Sequence, residues 1–129
     1  MKISLEEAAL LLKQGKVVAL PTETVYGLAA SLSSTEAIEN VFSLKGRPSQ
    51  NPLIIHVAAW EQILSFISEL PPFAKELADR FWPGPLTLVL PIKPELIPEK
   101  VRANLLTAAF RVPNHTLARA VLQKTGPLV

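Results

Sequence analysis

The chain has 129 residues, a formal net charge of +2, 49% apolar residues and 19% charged residues, which together indicate one globular domain rather than a disordered chain. It contains no cysteine, which excludes disulfides and thiolate chemistry, and His56 and His115 lack metal-ligand spacing, so we expect no protein-bound zinc. No apolar run reaches the ~20 residues that cross a bilayer and no secretory segment follows Met1, so we expect a cytoplasmic protein with no membrane partner.

The hydrophobic pattern predicts helices and strands in mixed order. Ser4 is expected to cap a first helix, with Glu7 as its capping-box partner and Gly15 at the helix end. Further helices are predicted at 34–44, from 60 to about 67, from 72 to about 81 and from about 114 to 123. Strands are predicted at 17–20, 53–57, 86–90 and 108–112, and the final Leu128-Val129 resembles the start of another. We therefore expect an α/β (α+β) fold with a mixed sheet and helices packed on it.

Two stretches of the chain contain no acidic residue. Residues 40–60 include Lys45 and Arg47, and residues 100–129 include Lys100, Arg102, Arg111, Arg119 and Lys124. If these stretches converge in the fold they would attract an anion. A mildly basic surface is the alternative, and charge alone favours it.

The segment 21–28 is unusually polar for a stretch that follows a predicted buried strand. It offers the hydroxyls of Thr22, Thr24 and Tyr26 and the carboxylate of Glu23, at a point where α/β proteins commonly bind ligands. An ordinary turn whose threonines satisfy local backbone groups explains it equally well.

Lys45 and Arg47 lie two residues apart beside Gly46 and Pro48, which constrain the backbone. An ammonium group and a planar guanidinium in this arrangement suit a polyphosphate. The helix dipole favours a cation at a helix end, which explains Lys45 without a ligand but explains Arg47 less well. The segment contains no P-loop motif, so side chains would have to hold the phosphates.

His56 and Arg111 are polar residues inside apolar, strand-like runs. Alternation places His56 on the same side as Ile54, either as a hydrogen-bonded core residue or as a group that contacts a carboxylate. Arg111 needs a partner, which is either an acidic residue such as Glu23 or the carboxylate or phosphate of a ligand, and we adopt the ligand. No nucleophile with an adjacent base is evident, which favours phosphoryl or nucleotidyl transfer over covalent hydrolysis.

Four segments of the chain carry a family resemblance. PTETVYGLAA (21–30), KGRPSQNPLIIHV (45–57), FWPGPLTLVL (81–90) and FRVPNH (110–115) resemble the YrdC-like threonylcarbamoyl-AMP synthase family in order, spacing and flanking residues. The resemblance implies an open, twisted α/β fold around a positively charged concave cleft. It also implies nucleotidyl transfer, in which L-threonine, bicarbonate and ATP with Mg²⁺ give threonylcarbamoyl-AMP and pyrophosphate. That product supplies the t6A modification of tRNA, so tRNA and the t6A-transfer machinery are expected partners.

The resemblance also implies a role for each matching residue. The expected contacts are Thr24, His56 and Arg111 with L-threonine, and Lys45, Arg47, Asn51 and Thr107 with ATP. Lys45 and Arg47 would be the catalytic pair that neutralises charge on the phosphates, with Thr22 and Tyr26 as an additional part of the pocket. No protein metal ligand is expected, because Mg²⁺ would arrive with ATP.

Members of this family continue beyond a Gly-Pro-Leu-Val-like strand into a Ser-x-Asn motif that completes the nucleotide pocket. We therefore expect residues 1–129 to be one YrdC-like domain without its C-terminal portion, and its catalytic competence is left open. One alternative is a non-catalytic RNA-binding or nucleotide-binding module, although the basic stretches carry few aromatic residues for stacking on bases. A second is the related domain of the hydrogenase-maturation carbamoyltransferases, which are long multidomain chains with zinc-finger cysteines.

Overall fold

The computed structural model describes residues 4–21, 26–46, 48 and 51–129. The helices of this part of the chain are α1 Leu5–Lys13, α2 Thr35–Lys45, α3 Ala74–Phe81 and α4 Thr116–Thr125. Its strands are β1 Val18–Pro21, β2 Tyr26–Ala29, β3 Ile54–His56, β4 Leu88–Pro91 and β5 Thr107–Arg111, and two 3₁₀ turns occupy Trp60–Ile63 and Pro94–Leu96. The predicted mixture of helices and strands is confirmed. None of the described helices is both long and apolar enough to span a membrane.

Local capping fixes the start of α1 where the sequence predicts it. The Glu7 N–H donates to Ser4 Oγ at 3.1 Å, and the Ser4 N–H donates to Glu7 Oε1 at 3.3 Å, so the capping box is complete. At the other end the C-cap is Gln14, and Gly15 follows it with φ 82°, a left-handed conformation that glycine adopts without strain. The sequence therefore located both ends of α1 to within one residue.

Two predictions of local structure are wrong. The predicted helix from 60 to about 67 is only the 3₁₀ turn Trp60–Ile63, because the residues that follow pair with the segment after β4. The Ser68 N–H donates to the Pro91 carbonyl at 3.0 Å, and the Lys93 N–H donates to the Phe66 carbonyl at 2.8 Å. The second error is the omission of β2, which pairs antiparallel with β1. The other helices and strands differ from their predicted bounds by two residues or fewer, and the 3₁₀ turn Pro94–Leu96 was not predicted.

The strands form a pair, β1-β2, and a three-stranded sheet in the order β3-β5-β4. β3 and β5 are parallel, whereas β4 and β5 are antiparallel, so the predicted mixed sheet is confirmed. The segment 127–129 joins the two groups, because Leu128 pairs with Ser31 on one side and with His56 on the other. The His56 N–H donates to the Leu128 carbonyl at 2.7 Å, and the Val129 N–H donates to the Ala30 carbonyl at 2.9 Å. The final residues thus act as a strand between the two groups, as the sequence suggested.

Two hydrophobic cores lie on opposite faces of this joined sheet. Neighbouring residues enter different cores, with Ala30 and Val129 in the first and Ala29 and Leu128 in the second, because successive side chains of a strand point to opposite faces. Helices α2 and α3 cover the first face, with a core that includes Ile38, Val41, Phe42, Ile55, Ala74, Ala78, Leu88, Leu90 and Phe110. Helices α1 and α4 cover the second face beside β1 and β2, with Ala8, Leu12, Val18, Leu20, Val121 and Leu122.

The second face is more open along the other three strands. By strand register, its side chains here are half-buried or exposed and belong to Ile54, His56, Val89, Pro91, Thr107, Ala109 and Arg111. We call these seven residues the open face. They contrast with Ile55 and Phe110, which point to the first core and are both 0% exposed. The open face is therefore the described part of the sheet where polar side chains can meet a ligand.

Candidate functional site

His56 and Arg111 are direct neighbours in the sheet. They end β3 and β5, which are parallel strands in register, so both side chains reach the same edge and the same face. Both residues are half-buried. The sequence placed His56 on the side of Ile54 and opposite Ile55, and the burial of these residues confirms that alternation.

Arg111 is held by a residue that the sequence analysis did not single out. Its Nε and Nη2 both donate to Thr87 Oγ1, at 3.0 and 2.6 Å. Thr87 immediately precedes β4, whose first residue Leu88 pairs with Phe110, so the register brings Thr87 beside Arg111. The predicted alternative partner, Glu23, lies outside the described residues. A charged residue in a strand signals that a partner exists, but only the register identifies Thr87.

The segment before Thr87 is held by two hydrogen bonds to backbone carbonyls. Trp82 Nε1 donates to the Leu86 carbonyl at 2.7 Å, and the Gly84 N–H donates to the Val112 carbonyl at 2.8 Å. A Cβ on Gly84 would lie 2.5 Å from the Phe81 carbonyl oxygen, so a side chain here would force the backbone to move. The motif FWPGPLT thus forms a rigid connection that places Thr87 against Arg111.

The residues predicted to contact ATP occupy three different places. Lys45 is the exposed last residue of α2, where the helix dipole also favours a cation. Asn51 is exposed, and its N–H donates to the Pro48 carbonyl at 3.0 Å. Thr107 is half-buried and begins β5, on the open face. Arg47 lies outside the described residues.

The structure places His56 and Arg111, two of the residues predicted to contact L-threonine, next to each other. Thr107, predicted to contact ATP, lies away from them. Thr107 and Arg111 begin and end β5, about 13 Å apart along a strand that rises ~3.3 Å per residue. Thr22 and Thr24 lie outside the described residues. Tyr26 begins β2 and pairs with Pro21, and only its backbone is described. The roles of all these residues stay predictions at this point.

The two acid-free stretches do converge. β3 pairs with β5, and the Leu53 N–H donates to the Val101 carbonyl at 2.9 Å. Besides Arg111, which donates to Thr87, two more cations of these stretches make contacts within the protein. Lys100 Nζ lies 3.4 Å from Glu39 Oε1, and Arg102 donates to two carbonyls of its own turn. A basic cleft therefore stays a prediction, because convergence alone does not leave every cation available to an anion.

The chain is similar to a known protein family and to curated proteins over most of its length. The family model Sua5_yciO_yrdC, described as "Telomere recombination", matches residues 10–129. The threonylcarbamoyl-AMP synthase of Bacillus subtilis (strain 168) is 48% identical over 120 residues, which cover 93% of this chain and 35% of that protein. The synthase of Pyrococcus abyssi is 49% identical over 116 residues, covering 90% of this chain and 34% of that protein. The chain thus spans about a third of the length of these two relatives.

Solved structures give the same picture of the fold. Sua5 of Pyrococcus abyssi complexed with L-threonine matches with a TM-score of 0.92 at 44% identity, covering 99% of this chain and 38% of that chain. YciO of Escherichia coli matches with a TM-score of 0.83 at 21% identity, covering 96% of this chain and 60% of that chain. The second similarity shows the fold alone.

Proposed function

The chain belongs to the Sua5/YciO/YrdC family, and on that premise we propose that it binds L-threonine at the open face as part of a threonylcarbamoyl-AMP synthase. One observation carries the proposal: His56 and Arg111 stand side by side at the ends of two parallel strands. Relatives named threonylcarbamoyl-AMP synthase and the threonine complex of the Pyrococcus abyssi protein support it.

The chemistry of the two side chains fits an amino acid. A guanidinium has five N–H donors in a planar fork that matches the geometry of a carboxylate. Arg111 directs two of these donors to Thr87 and so has three to offer to other acceptors, including both on Nη1. His56, one strand away, can exchange hydrogen bonds with a second polar group of the same ligand. By family resemblance, Thr24 is the third threonine contact.

For the nucleotide we propose Lys45, Arg47, Asn51 and Thr107, with Lys45 and Arg47 neutralising charge as the reaction proceeds. Thr22 and Tyr26 would complete the pocket. The described residues contain no group of three or more His, Asp or Glu that could hold a metal ion. Mg²⁺ is proposed to enter as the ATP complex, coordinated by the phosphates.

The reaction that we propose is the one implied by the resemblance to the threonylcarbamoyl-AMP synthase family. The neutral amine of L-threonine attacks the carbon of bicarbonate and water leaves, which gives N-carboxy-threonine. A carboxylate oxygen of this new group then attacks the α-phosphorus of ATP. The bond from the α-phosphorus to the α–β bridging oxygen breaks, and pyrophosphate leaves with the electron pair. The enzyme's contribution would be positioning and charge neutralisation, since the open face offers no nucleophile paired with a base.

The placement of Thr107 supports a single extended ligand. Thr107 and Arg111 share one face of β5 and lie about 13 Å apart along it. An adenylate that carries a threonylcarbamoyl group is long enough to reach from one to the other. The proposal therefore assigns the Arg111 end of β5 to threonine and the Thr107 end to the nucleotide. It also includes delivery of the product to the machinery that modifies tRNA, and with it a cytoplasmic location.

Titration calorimetry of the 129-residue chain with L-threonine tests the proposal. We expect saturable binding that Arg111→Ala weakens about 30-fold or more, because truncation removes one partner of a charged hydrogen-bonded pair. Arg80→Ala, at an exposed arginine in the last turn of α3, is the matched control and should leave the dissociation constant unchanged. No binding to the wild-type chain, or equal binding by Arg111→Ala, would contradict the assignment.

A further inference from the structure

We propose that Thr87 is a positioning residue for the threonine site, where it fixes the guanidinium of Arg111 so that the remaining N–H groups meet the ligand's carboxylate. This inference rests on the proposed function. It starts from an interaction that the sequence did not predict and that the proposed reaction does not itself use.

The geometry of the contact determines the orientation of the guanidinium. Nε and Nη2 lie on one edge of its plane, and both donate to the single acceptor Thr87 Oγ1, at 3.0 and 2.6 Å. Because two donors share one acceptor, the guanidinium can neither rotate freely within its plane nor point its Nε edge elsewhere. The remaining N–H groups, including both on Nη1, are then held in a defined direction before a ligand arrives. A long side chain that is already oriented loses less conformational entropy on binding.

Thr87 is itself well supported. It stands between the first residue of β4 and the rigid connection in which Trp82 Nε1 donates to the Leu86 carbonyl and the Gly84 N–H donates to the Val112 carbonyl. Val112 directly follows Arg111, so the same connection is tied to both partners of the Thr87–Arg111 contact. The backbone of Thr87 is thus held in place relative to β5.

The partner of Arg111 is the uncharged hydroxyl of Thr87, whereas an arginine within a protein is often paired with a carboxylate. The hydroxyl accepts two hydrogen bonds but contributes no negative charge, so it orients Arg111 without competing electrostatically with the ligand's carboxylate. An aspartate at this position would keep an acceptor for Nε and Nη2 and would add the competing charge. Comparing threonine with aspartate at position 87 therefore distinguishes the orientation of Arg111 from the effect of an added negative charge.

The test measures dissociation constants for L-threonine and for L-threonine amide, which lacks the carboxylate, on the 129-residue chain. Loss of a hydrogen bond to a charged group predicts that Thr87→Val weakens L-threonine binding about tenfold, while Thr87→Ser stays within about twofold. The amide should bind equally to wild type and to Thr87→Val, because it makes no carboxylate contact with Arg111. Thr125→Val is the matched control, since Thr125 is also half-buried and its hydroxyl donates locally, to the Gly126 carbonyl.

Thr87→Asp provides a second variant that keeps an acceptor oxygen for Arg111 even if Thr87→Val does not fold. We expect it to weaken L-threonine at least tenfold, with the amide much less affected. Wild-type affinity for L-threonine in both variants overturns the inference, and so does equal weakening of L-threonine and its amide, which would indicate a purely structural role. If the wild-type chain binds no L-threonine, the proposed function fails and the inference with it, and this result is distinct from normal binding by the variants.

Discussion

The segment 127–129 offers the sharpest test of how the fold holds together. Leu128 is 2% exposed, its side chain lies in the second core, and its backbone pairs with both Ser31 and His56. Leu128→Ala removes the side chain from the second core and leaves the backbone hydrogen bonds possible. The variant therefore measures how far packing in one core stabilises the whole chain.

The expected loss of stability follows from burial. Truncation of a fully buried leucine costs about 2–5 kcal/mol, made up of lost transfer free energy and the cavity that remains. We take about 3 kcal/mol for Leu128, since helices α1 and α4 pack around it and limit collapse of the cavity. With a urea m-value of about 1.5 kcal/mol/M, the unfolding midpoint should fall by about 2 M.

The assay follows unfolding with two probes. Trp60 and Trp82, whose ring centroids are 6.1 Å apart, both pack against the first core, whereas far-UV circular dichroism reports on all helices. Because the backbone of 127–129 joins the two strand groups, both probes should shift together, as two-state unfolding of one domain requires. Leu44→Ala is the control, because Leu44 is 67% exposed.

Two results would refute this reasoning. A loss below about 1 kcal/mol would show that the second core contributes little at Leu128. An unchanged fluorescence midpoint with a shifted dichroism midpoint would show that the two cores unfold separately. The second outcome would also contradict the prediction that residues 1–129 form a single domain.

Two further predictions concern local structure. Gly84→Ala places a Cβ 2.5 Å from the Phe81 carbonyl, so we expect a loss of about 2 kcal/mol and weaker binding of L-threonine, and an unchanged melting temperature would show that the connection is not rigid. Ser4→Ala removes the side-chain cap of α1 and should lower the free energy of unfolding by about 1 kcal/mol in urea, whereas the exposed control Ser65→Ala should have no effect. Equal stability of the two serine variants would show that the capping box contributes nothing.

The sequence by itself determined the features that depend on near neighbours. The capping box of Ser4 and Glu7 spans three residues, and the alternation of Ile55 and His56 needs only the two-residue period of a strand. The motifs that carry the family resemblance are also local. The match of the family model to residues 10–129 confirms the resemblance. From these features the mixed α/β fold and a pair of polar residues on strands could be predicted.

Pairing between distant segments was decided only by the tertiary structure. Nothing within 60–67 shows that Ser68 will pair with Pro91, so a helix was predicted where a turn forms. Likewise, the contact between Thr87 and Arg111 spans 24 residues and exists because β4 and β5 align in one register. Hydrogen bonds across a sheet depend on which strands meet and in what register, and a single sequence encodes this only through the packing of the whole chain. For that reason the sequence located Arg111, and the fold identified the residue that orients it.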